Sequence, residues 1–223
     1  MMFVSEAAML LWFDVVPEAI VEHDEWHTRE HFPERIAIPG FRRASRWISA
    51  TPDPRYLVCY EVDDLRVLSS TPYLERLNNP SEWTRRMMPS YRGMTRAFFE
   101  IRSVVGEVLG STLVSVRFEP AAGGEAASID WLTAVLMPEL RTLRGVTGSA
   151  LLASAHEPEM TAEQRIRGRD ASAKCALLVS LYDPDVAQGL LAATLAPTRF
   201  AAAGVGGVLS SVHSLACTST AER

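Results

Sequence analysis

Ala8-Met-Leu-Leu-Trp-Phe-Asp-Val-Val is apolar nearly throughout and reads as a buried strand. Pro17 and Glu18 then suit the first turn of a helix, where a missing N–H costs nothing and a negative charge meets the positive end of the dipole. Pro33 is expected to interrupt that helix, and Ile36-Ala-Ile-Pro-Gly leads out through a turn. Phe41 to Ser49 reads as a strand with Phe41, Arg43, Ser45 and Trp47 on one side. Thr51-Pro-Asp-Pro turns the chain into a second strand, Tyr56 to Val62. Asp63 or Asp64 caps a helix carrying Leu65, Leu68, Leu74 and Leu77. A short helix around Trp83 follows, and Thr95 to Val105 alternates as a strand. The order is β-α-β-β-α-β.

The same order returns. Leu113 to Pro120 repeats the first strand and its closing proline, and Ser128 is expected to cap a helix through Trp131, Leu132, Val135 and Leu136. Arg144-Gly-Val-Thr answers Pro39-Gly-Phe-Arg, Lys174 to Asp183 answers Tyr56 to Asp63, and Gly207 to Cys217 supplies the last strand. Glu157 to Ala171 is a polar insertion with no counterpart in the first half. Two such copies predict an α+β fold of two ferredoxin-like βαββαβ repeats, residues 1–106 and 107–223. Each repeat would bury its bare sheet face by packing sheet to sheet on the other, as a barrel-like body.

The two halves differ in chemistry. Three of the five histidines, His23, His27 and His31, fall at i, i+4 and i+8 on the first helix, which places them along one stripe. Trp26 flanks the stripe and Glu30 lies at its edge. Arg43 and Trp47 share a strand face, and Tyr56 and Tyr60 alternate on the next strand. The second half has leucines such as Leu132, Leu136 and Leu140 in place of the stripe, and small or aliphatic residues in place of the others. A site is therefore expected in residues 1–106, with 107–223 as scaffold.

Bulk properties narrow the field. A net charge of −5 and a pI near 5.6 argue against nucleic acid, which needs a basic face. No apolar run is long enough to cross a bilayer, and the first residues carry no basic segment ahead of their apolar stretch. Cys59, Cys175 and Cys217 lie far apart in apolar segments and read as reduced thiols of a cytoplasmic protein. No phosphate loop, nucleophile elbow or paired-cysteine motif is present. Histidines four apart can share a metal, but the zincin glutamate is missing, so neither metal nor cofactor is expected.

The stretch Trp26-His-Thr-Arg-Glu-His-Phe-Pro-Glu-Arg-Ile-Ala-Ile-Pro-Gly-Phe-Arg-Arg-Ala-Ser-Arg-Trp resembles the Trp-x(3–4)-His-x-Pro…Pro-Gly-Phe signature of EthD-like and related dimeric α/β-barrel proteins. The resemblance covers the first helix and second strand, and the doubled order extends it over the chain. It implies a barrel that two chains usually complete and that duplication completes here. It also implies a cavity between sheet and helices into which the motif histidine, matched by His31, points.

An imidazole near its ordinary pKa can move protons at neutral pH. The leading expectation is a cofactor-independent cyclase, isomerase or decarboxylase acting on a small hydrophobic oxo or phenolic compound. His31 is its base, His27 a partner, and Tyr60 or Arg43 steadies the oxyanion. Trp26, Trp47 and Tyr56 would line the site, and Asp14 or Glu30 would orient an imidazole. The alternatives are a non-catalytic ligand-binding or structural module, or an EthD-like oxidoreductase of monooxygenase or haem-linked type. The base-rate assembly is a homodimer.

Overall fold

The computed structural model describes residues 2–51, 54–155, 162–167 and 170–221. Pro52 and Asp53 of the expected turn, and much of the polar insertion, lie outside them. Among the described residues eight strands form: β1 Ala7–Val15, β2 Phe41–Ile48, β3 Tyr56–Val62, β4 Tyr91–Val105, β5 Thr112–Pro120, β6 Val146–Ser154, β7 Cys175–Leu181 and β8 Val205–Thr220. Among the described residues, nine short α-helices accompany them. The first half holds α1 Ile20–Trp26, α2 Phe32–Ile36, α3 Thr71–Asn78 and α4 Glu82–Met87. The second holds α5 Glu125–Trp131, α6 Met137–Thr142, α7 Ala162–Arg167, α8 Ala187–Ala192 and α9 Pro197–Ala202. The strand order β1-β3-β2-β8-β5-β7-β6-β4 is a closed antiparallel barrel.

Two compact units emerge, and neither is continuous in sequence. One comprises Val4–Glu100, Ala155–Ser172 and Ala216–Arg223; the other comprises Met1–Phe3, Ile101–Ser154 and Ala173–Leu215. In the first unit β1 lies between β3 and β4, and β3 pairs with β2, all antiparallel. The second repeats this with β5 between β7 and β8, and β7 on β6. Met9 stands opposite Tyr60 in one and Val114 opposite Val179 in the other, so the duplication holds in register.

It holds in the helices as well. Between α1 and α2, residues His27–His31 form a π-helical turn; between α5 and α6, Leu132–Leu136 do the same. This corrects the expected break at Pro33. A proline cannot donate to the carbonyl four residues back, and the wider π turn lets the chain continue. Pro33 sits in the first turn of α2 and Pro138 in that of α6, and neither ends its helix. Ser128 is not a cap either: α5 begins at Glu125, and Ser128 is buried inside it.

Gly40 and Gly145 close both helical segments at φ of 93° and 90°. A Cβ at Gly40 would lie 2.5 Å from a Val67 methyl, so the turn requires glycine twice over.

Candidate active site

The helical segment lays its polar stripe on the β-sheet of the first unit, and the stripe is buried. His23, His27 and His31 are 0, 2 and 7% exposed. Their rings follow one another at centroid separations of 5.3 and 5.2 Å, inclined by 32° and 37°. Rings so arranged follow one another along the helix and do not converge on a point. Among the described residues, no three metal-ligating side chains form a group that could hold an ion.

Each end of the row is anchored. His23 Nδ1 lies 3.2 Å from Asp24 Oδ1, which also accepts from the Tyr56 hydroxyl at 3.1 Å. Arg46 Nη1 stands 3.6 Å from the same carboxylate. Burial would raise the Asp24 pKa, but the bonds from His23 and the charge of Arg46 outweigh it and hold it below the usual range. Trp26 is fully buried and packs on His31 at 4.5 Å, while its indole N–H donates to Glu30. Ser81 donates to Glu30 too, so Glu30 serves the helix and not an imidazole.

The middle of the row faces a hollow. His27, His31, Tyr60, Arg35, Arg96, Tyr73, Tyr91, Glu163 and a set of apolar side chains including Met9, Phe13 and Met88 enclose about 30 Å³. That is room for about one water molecule. Tyr60 Oη is 3.5 Å from His27 Nε2, and His27 Nδ1 is buried with no hydrogen-bond partner. Burial first, then the neighbouring histidines, push the His27 pKa well below 6.5, so the ring is a neutral acceptor at pH 7. Burial pushes the Tyr60 phenol well up, which keeps it a donor.

Of the residues the sequence singled out, the structure brings His27, His31 and Tyr60 together on this hollow, with Trp26 behind them. Tyr56 stacks on Phe13 at 5.1 Å and belongs to the Asp24 cluster. Asp14 accepts from the backbone N–H of Arg55 and so fastens the β2–β3 turn. Arg43 donates to buried Glu61, and the Trp47 indole donates to Ser45.

Arg43 and Trp47 are absent from the hollow because of a β-bulge. The β2–β3 register shifts between Phe41 and Arg43. Phe41 and Ala44 therefore join the helix-side core, while Arg43, Ser45 and Trp47 take the other sheet face. The expected grouping of Phe41 with Arg43 and Trp47 fails for that reason.

Two participants went unread. Arg35 continues the stripe four residues past His31, and it is 1% exposed. Its Nη2 donates to Glu163 of α7 at 2.6 Å, and its Nη1 is buried with no partner. Burial would lower the Arg35 pKa, but Glu163 and the nearby tyrosines raise it overall. Arg96 of β4 stands 3.3 Å from Asp170, both side chains buried. The inserted segment thus supplies the acid for each arginine in the wall.

This is the dimeric α/β-barrel fold, with both βαββαβ units carried by one chain. An anthrone oxidase-like protein superposes with a TM-score of 0.72 over 97% of this chain and 93% of its own, at 12% identity. A candidate monooxygenase from Fusobacterium nucleatum subsp. nucleatum gives 0.57 over 98% and 96%, at 8% identity. A haem-binding protein from Thermus thermophilus gives 0.51 over 96% and 95%, at 8% identity. No family model matches the chain. No curated protein matches it in sequence. Among the described residues, no helix is long and apolar enough to cross a membrane.

Proposed function

We propose that the chain is an oxidoreductase of the cofactor-independent monooxygenase type, acting on a small aromatic oxo or phenolic compound with an acidic C–H. The observation that carries this reading is the pair of buried imidazoles, His27 and His31, beside the Tyr60 hydroxyl on one hollow. A neutral imidazole takes a proton from an activated methylene, and the negative charge moves to the carbonyl oxygen, where Tyr60 donates. That first step is shared with cyclases, isomerases and decarboxylases. The likeness to the anthrone oxidase-like protein supports dioxygen as the partner of the carbanion. One oxygen atom then becomes the new carbonyl, and the other leaves as water with both methylene hydrogens.

The haem-linked alternative asks more of this hollow than a flat aromatic substrate does. Ligand pockets span roughly 300–1,000 Å³, and haem needs space of that order beside a free imidazole face. Here the imidazoles follow one another around about 30 Å³. A flat aromatic ring is smaller, yet it too enters only if part of the wall moves.

In this reading residues 1–106 carry the chemistry and 107–223 are scaffold, apart from the acids of the inserted segment. The site needs no residue from a second copy, and we assign a homodimer on base rate, to be checked by light scattering. Three free cysteines support a cytoplasmic compartment. The test is dioxygen uptake with anthrone as probe. His31→Ala and His27→Ala should each lower the rate by about 100-fold or more; unchanged rates would remove the mechanism.

A further inference from the structure

Arg35 and Arg96 are two cations in the wall of one small hollow, and their carboxylates come from a segment foreign to the first repeat. Glu163 is only 4% exposed and lies 128 residues from Arg35 in sequence. Around it, α7 packs on α3 and on the turn Met88–Ser90, and the Ala162 N–H donates to Asn78 Oδ1 at 3.2 Å. The segment also joins the edge of β4: the Ala171 N–H donates to Met94 O, and the Arg96 N–H to Ala171 O. An acid so deeply placed on a short helix closes the hollow from outside the repeat.

The geometry points to Glu163 as the internal occupant of a carboxylate subsite, so that the ligand is an aromatic carboxylate that displaces Glu163 from Arg35. This rests on the oxidoreductase reading only for the rest of the ligand.

Three observations carry it. Arg35 offers a planar fork of which one arm holds Glu163 and the other, Nη1, is unspent and buried. A second carboxylate cannot simply join the first, because two anions on one guanidinium would leave a buried net negative charge. Exchange keeps the charge balanced. Exchange also makes room: with Glu163 in place the hollow holds about 30 Å³, too little for a benzene ring. Arg96 keeps Asp170 throughout the exchange. Histidines 27 and 31 then lie beside the ring of a ligand held by its carboxylate.

The test uses the full chain, with benzoate and salicylate as probes and benzamide as the uncharged control, read by calorimetric titration and Trp fluorescence. Wild type should bind benzoate weakly, because Glu163 competes. Glu163→Gln keeps the shape and removes the competitor, so its benzoate affinity should rise about tenfold or more. Arg35→Met should lose benzoate binding, and Arg35→Lys should keep a weak remnant. Glu139→Gln, which releases half-exposed Arg199 in the other unit, should change nothing.

If Arg35→Met does not fold, the contrast between wild type and Glu163→Gln still decides. Equal benzoate affinity in those two proteins, or equal affinity for benzoate and benzamide, would overturn the subsite. The two ideas separate: anthrone oxidation that depends on His31 without benzoate exchange rejects only the subsite. Exchange without oxidation rejects only the oxidoreductase.

Discussion

The helical segments of the two units share a five-residue π turn and a proline in the turn after it, and they differ along one stripe. In the first unit that stripe reads His23, His27, His31, Arg35; in the second it reads Ser128, Leu132, Leu136, Leu140. The strand beneath differs in step, with Tyr60 where the second unit has Val179. The leucine version packs into an apolar core with Val116, Phe118 and Leu177. The backbone therefore does not require polar groups there. Burying an imidazole or a guanidinium costs free energy unless it is partnered, and a fold that accepts leucine at the same place has no structural need for that cost. On that ground we propose the first unit as the functional one.

The comparison can be broken at several points. The largest effect is expected at the buried ion pair. Glu163→Ala should destabilise the chain by about 3–5 kcal/mol, because Arg35 is left charged without a partner. The double change Arg35→Leu, Glu163→Leu should recover most of that loss, since it copies the state at Leu140; chemical denaturation measures both.

Running the comparison backwards gives a smaller effect. Leu136→His places an unpaired imidazole in the apolar unit and should cost about 1–3 kcal/mol. Loss well below that range would show that the row is generic to the fold.

Acid gives a third test. His27 and His23 are held below 6.5 in the folded state, by burial first in each case, and return to about 6.5 when unfolded. The unfolded chain binds more protons below that pH. The stability these rings contribute is complete above about 6.5 and falls as the pH drops below it, by at most about 1.4 kcal/mol per pH unit for each ring. His27→Leu should flatten the denaturation profile below pH 6.5, and an unchanged profile would contradict neutral burial. The smallest effect belongs to Arg42→Ala, whose partner Asp63 is exposed; the denaturation midpoint should not shift measurably.

Much of this was readable from residue order, for definite reasons. The strands announced themselves because buried strands are apolar on both faces, as β3 is apart from Glu61. The histidine stripe was readable because a spacing of four survives the π turn as a shared face. Arg35 obeys the same spacing, but the expectation of a break at Pro33 cut the stripe short. Arg43 and Trp47 were misplaced because strict alternation carries no mark of a bulge. Glu163 and Asp170 were out of reach: a polar insertion reads as surface, and a contact across 128 residues leaves no local pattern.

The central claim is that the first unit's row performs chemistry and the second unit's row only packs. It is tested most directly by giving the first unit's row the second unit's leucines and removing the acid that would be left unpaired: His27→Leu, His31→Leu, Arg35→Leu and Glu163→Leu in one chain, with dioxygen uptake on anthrone measured beside thermal melting. The account predicts a folded protein whose melting temperature is at or above that of wild type and whose uptake falls to the uncatalysed rate. Uptake persisting at the wild-type rate in that folded variant would contradict it.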